Sequence, residues 1–152
     1  MNGEESLVDI INAITTRVGE SDECIIFSVI QIEDRHALIC VELMENDGSM
    51  FLFDGSQLKR SDAVTIEHNY GRLFKDAFKN HTWKFTLVDP TEDPPSPEIS
   101  AQNSSVFCCV VMDLFARDEL ATSDKVFDTL TDKMMPKVRN LIIAFLHGLT
   151  HP

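Results

Sequence analysis

The sequence predicts an α+β fold: a small antiparallel sheet flanked by helices. Three observations carry this. The β-branched run CIIFSVIQI at 24–32 is followed by two more strand-like segments with only turn residues between them. Apolar residues at helical spacing occupy both ends of the chain. The length of 152 residues suits one domain around one core. With no internal repeat and no linker, a single domain over 1–152 is expected.

The elements follow in order. ESLVDIINAITTRV places Leu7, Ile10, Ile11, Ile14 and Val18 on one helical face, and Gly19 ends it. CIIFSVIQI reads as a buried strand, and HALICVELM (36–44) as a second after a polar turn. NDG at 46–48 signals a turn, and MFLFD (50–54) closes a hairpin. Residues 61–80 read as a helix with Ser61 as candidate N-cap and Leu73, Phe74, Ala77 and Phe78 as its apolar face. TWKFTLVD (82–89) alternates and reads as a fourth strand, with Trp83 packing on it. PTEDPPSPEIS (90–100) is a proline-rich acidic loop. Helical spacing resumes near Val106 and runs to about Ala121. A last helix spans 132–148, with Pro136 in its first turn and Gly148 as its stop.

Composition narrows the function classes. The formal net charge of −12 opposes nucleic acid and anionic membrane and favours solubility or basic partners. No apolar run reaches the ~18 residues of a transmembrane helix. The acidic opening MNGEESLVDI does not read as a secretory signal. Cys24, Cys40, Cys108 and Cys109 match neither a disulfide scaffold nor a zinc site. Free thiols in a reducing compartment, cytoplasm or nucleus, are expected, with no cofactor and no metal.

One stretch, AQNSSVFCCVVMDLFA (101–116), carries candidate chemistry. A cysteine nucleophile must be a thiolate, and a helix N-terminus lowers a thiol's pKa through its dipole and free N–H groups. Cys108 is expected in the first turn of the predicted helix, with Cys109 turned toward the core. A base and an orienting acid are also required. His36 opens one strand of the hairpin and Asp54 closes the other, so antiparallel pairing makes them neighbours. Glu42, on the strand itself, is a rival acid. Gln102 and the Cys108 N–H are candidate oxyanion donors. His68, His81, His147 and His151 have no partner spacing and read as surface residues.

The order His36, Asp54, Gln102, Cys108 resembles that of the cysteine peptidases that process ubiquitin-like modifiers, the SUMO-protease and adenovirus-type families. HALICVE stands for their first strand and FLFDGS for their second, with His36 and Asp54 18 residues apart. QNSSVFCCVV places Gln102 six residues before Cys108, as in the family's Q-x5-C-G-V-F. Phe115-Ala116 stands for an aromatic-alanine pair, and DKMMPKVRNLIIAFL resembles the final D-M-x-x-x-R helix. The resemblance, over roughly 24–147, implies a papain-like core of the ubiquitin-like-protein protease type. It also implies hydrolysis of a peptide or isopeptide bond in a protein substrate. In that chemistry Cys108 attacks, His36 moves the proton, Asp54 orients the imidazole and Gln102 stabilises the oxyanion. Effector acetyltransferases with a Q-x-S-S-x-x-C segment resemble the same stretch. Cys109 stands where the peptidases have glycine, Phe107 where they have an acid, and Ala37 where they have tryptophan. A second register sets NSSVF (103–107) against D-C-G-V-F, which places Ser104 at the nucleophile position of an inactive relative. A catalytically degenerate protein-binding module is therefore the alternative to an enzyme.

Overall fold

The structure, a computed structural model, describes residues 9, 12–13, 23–90, 98–117 and 126–150. Of the N-terminal segment only Asp9, Asn12 and Ala13 are described, and they are helical and exposed. The rest of the expected helix over 7–18 lies outside the described residues, as do 91–97 of the acidic loop.

The described elements are β1 (Cys24–Ile32), β2 (Arg35–Leu43), β3 (Asp47–Phe53), α1 (Arg60–Ala77), β4 (Thr82–Val88), α2 (Ser104–Ala116), α3 (Val126–Thr129) and α4 (Met135–Thr150). Short 3-10 turns at Ala101–Asn103 and Asp132–Met134 lead into α2 and α4. The four strands form one sheet in the order β1-β2-β3-β4. The fold is α+β, as expected, but the sheet is mixed rather than antiparallel. Thr82 N–H donates to Asn46 O and Asp54 N–H to Val88 O, so β4 runs parallel to β3. The cause is α1. At 1.5 Å per residue its 18 residues carry the chain back along the strand, and β4 starts again from the end where β3 began.

Contacts divide the chain into two compact units: 1–28, 39–52 and 58–87, and 29–38, 53–57 and 88–152. In the first, α1 buries Ala63, Gly71 and Phe74, residues spaced along one helical face. It starts at Arg60 with Lys59 as a cap that makes no side-chain bond, so Ser61 lies inside the helix rather than capping it. The indole of Trp83 lies against Gly48, where a Cβ would stand 2.6 Å from the ring. Phe74 lies 6.1 Å from that indole between ring centroids.

In the second unit, α2 is the central element. Val106, Phe107, Cys108, Val111 and Phe115 are buried along it. Phe107 stacks on Phe127 at 5.5 Å, and Phe115 meets Phe53 edge-on at 6.1 Å. The helix opens at Ser104, earlier than the expected 106, and the last helix runs through Gly148 to Thr150 instead of stopping there. Gly55 has a steric task. A Cβ there would come within 2.7 Å of the Ile99 Cβ, and Ile99 N–H donates to Gly55 O at 2.7 Å. The residues leading into α2 are thereby held against the Asp54 corner. Among the described residues, no helix is long and apolar enough to cross a membrane.

Candidate functional site

His36, Asp54, Gln102, Ser104 and Cys108 lie in the second unit, and Glu42, the rival acid, lies in the first. Asp54 follows the last residue of β3 and is fully buried. Its carboxylate is taken by Arg35, not by His36. Arg35 Nε donates to Oδ1 at 2.9 Å and Nη2 to Oδ2 at 2.8 Å, and Ser56 N–H adds a third bond to Oδ1 at 3.0 Å. This is the two-pronged guanidinium–carboxylate geometry of strong ion pairs. The hydrogen bond with Asp54 raises the pKa of the Arg35 guanidinium above its ordinary value.

The reason His36 misses Asp54 is the pleat. Met44 N–H donates to Asp47 O, which closes the β2–β3 hairpin. Counting from that closure places Asp54 opposite Ala37. Side chains alternate along a strand, so Asp54 shares a face with Arg35 and Ala37, and His36 points the other way. Hairpin topology did bring strand ends together, but parity selected the neighbouring residue.

His36 joins the site through its backbone. Its N–H donates to Ser104 Oγ at 2.9 Å, and the same hydroxyl donates to Ala101 O at 2.7 Å. Ser104 is the first residue of α2 and is buried. It occupies the helix N-terminus that was expected to hold a thiolate.

Cys108 lies one turn further in. By helix geometry its N–H belongs to the hydrogen-bonded ladder rather than to the free N–H groups of the first turn. An N–H bonded within the helix is a poor oxyanion donor, and the dipole's effect falls off beyond the first turn. The residue is fully buried, and burial pushes its thiol from the ordinary 9.0 up to about 12. Cys109 and the Asp54 carboxylate push the same way. A thiol held protonated is a poor nucleophile. The expected orientations of the cysteine pair are reversed: Cys108 is buried and Cys109 is exposed. Gln102 is exposed in the 3-10 turn, two residues before α2, and the contact it makes is through its carbonyl, which accepts from Arg139 Nη2 at 2.9 Å.

A second polar cluster surrounds the entry to α2. Asp132 Oδ1 accepts from Ser100 N–H at 2.8 Å, Ser100 Oγ at 2.9 Å and Asn103 Nδ2 at 2.9 Å. Arg139 Nη2 completes it with a 2.8 Å bond to Asn103 Oδ1. Hydrogen bonds from Asn103, and then from Ser100, hold the Asp132 carboxyl below its ordinary 3.8. The sequence offered Asp132 and Arg139 only as part of a final-helix pattern. Arg35 was legible as a base beside the candidate histidine, and strand parity was the signal that would have found it. Among the described residues, no group of three histidine, cysteine or acidic side chains could hold a metal ion. Neither a protein-family model nor a curated protein matches the sequence.

Proposed function

We propose that the protein is a catalytically inactive relative of the peptidases that process ubiquitin-like modifiers and that it works as a protein-binding module. The observation that carries this reading is the pairing of the buried Asp54 carboxylate with Arg35. A carboxylate paired with Arg35, on the opposite face of the sheet from His36, is not placed to orient that imidazole toward a nucleophile. Two further features support it. The start of α2 at Ser104 favours the register in which Ser104 stands at the nucleophile position, and the hydroxyl there is engaged with backbone groups. Of the two thiols on that helix, Cys108, the candidate nucleophile, is the buried one, and burial pushes its pKa up to about 12.

The test is covalent labelling of the full chain at neutral pH with a ubiquitin-like modifier bearing a C-terminal vinyl sulfone, read by peptide mapping. Iodoacetamide serves as the unselective control. Iodoacetamide modifies Cys109, and Cys108 stays unmodified by either reagent while the fold is intact. A vinyl-sulfone adduct on Cys108 that disappears in His36→Ala would overturn the reading and restore the thiol peptidase. Self-acylation of Cys108 by an acyl-CoA would overturn it in favour of the acyltransferase.

A further inference from the structure

The strongest feature outside that site is the outer half of α4. Leu141, Ile143, Phe145, Leu146 and Leu149 are between 54% and 70% exposed. Leu141, Phe145 and Leu149 repeat every four residues, and Ile142 and Leu146 form the adjacent row. Rows at this spacing are the ridges that interdigitate with another helix. A helix satisfies its own backbone, so this surface offers side-chain packing and no main-chain hydrogen bonds to an added strand. Its charge is opposite to that of the chain. Lys133, Lys137 and Arg139 lie on or just before α4, and no acidic residue follows Asp132, although the whole chain carries −12. Lys137 and His147 are exposed beside the apolar rows.

We propose that the apolar side of α4 docks an acidic amphipathic helix of a partner protein. The proposal rests on the binding-module reading and gives that module its partner chemistry. Acidic flanks on the incoming helix would lie within the ~10 Å screening length of Lys137. A second copy of this chain would instead bring the same basic flanks together. An anionic membrane would face the net negative charge of the entire molecule, not one helix. Charge complementarity confined to one helix therefore selects a helical partner.

The experiment uses the full chain and fluorescein-labelled peptides of about 20 residues, long enough to form a helix on docking. Both peptides carry leucine and isoleucine at i, i+3, i+4 and i+7, one with glutamate elsewhere and the other with lysine. Fluorescence anisotropy should give saturable micromolar binding of the glutamate peptide and about tenfold weaker binding of the lysine peptide. High salt should narrow that ratio. A Leu141→Gln, Phe145→Gln double variant should weaken the glutamate peptide about tenfold with an unchanged Tm, because both side chains are exposed. Absence of saturable binding, equal binding of the two peptides, or indifference to the double variant overturns the proposal. So does a concentration-dependent dimer, or flotation with phosphatidylserine vesicles, that the same variant abolishes. None of these results alters the labelling pattern at Cys108, so the inactive-relative reading is judged separately.

Discussion

At the scale of single residues, the site turns on one step along a strand. Arg35 and His36 are adjacent, and only one of them can share a face with Asp54. The sequence showed that a strand opening and a strand closing would meet, but not which parity they would meet in. Parity depends on the register of the hairpin, and the closing bond at Met44 and Asp47 sets it. Asp54 is fully buried and Arg35 is half-buried. Removing Arg35 therefore leaves an uncompensated charge in the interior, whereas removing Asp54 leaves a guanidinium that still reaches Glu33 at 3.9 Å. Arg35→Ala should cost about 3–5 kcal/mol in urea unfolding, and Asp54→Ala less. Replacing both together, as in Arg35→Met with Asp54→Leu, should cost less than the sum of the two singles. Additive costs would mean that the two side chains are not coupled.

At the scale of elements, α2 is placed by its entry rather than by a capping side chain. Asn103 forms no cap bond of its own. It spends its amide on Asp132 and its carbonyl oxygen on Arg139, which ties the turn before α2 to the turn and helix that end the chain. Asp132 has a lowered pKa in the fold. Its contribution is therefore present above the unfolded value of 3.8 and is lost as pH falls through the folded value. Asp132→Ala should be less stable than the parent at neutral pH, and the difference should shrink as the pH is taken below the ordinary carboxylate range. Urea midpoints at several pH values measure this, and a difference independent of pH would remove Asp132 from the account. The parallel β4 belongs to this scale too. Alternating residues predicted the strand, but its direction came from the length of α1.

At the scale of the whole molecule, the dominant quantity is the formal charge of −12. Like charges repel one another across the surface, and salt screens exposed charges more than buried pairs. Tm should therefore rise on adding NaCl from low salt to about 0.15 M, where the screening length is near 8 Å. A falling Tm would mean that attractive surface pairs outweigh the repulsion. The acidic balance also gives α4 its distinction as a basic, apolar helix.

The sequence by itself determined the strand and helix order, the hairpin and the apolar faces, because hydrophobic periodicity and turn residues act locally. It also determined that a histidine, an acid and the SSVFCC stretch would be carried into one unit of the fold, because strand pairing and helix burial follow from those local patterns. Tertiary structure alone decided the rest. The parity of β2 gave Asp54 to Arg35. The start of α2 placed Ser104 at the helix N-terminus and Cys108 in the core. Both outcomes hinge on shifts of one or a few residues, and neither composition nor spacing distinguishes them. Packing does, because a one-residue slip on a strand reverses every side chain, and about 100° per residue on a helix turns an exposed thiol into a buried one.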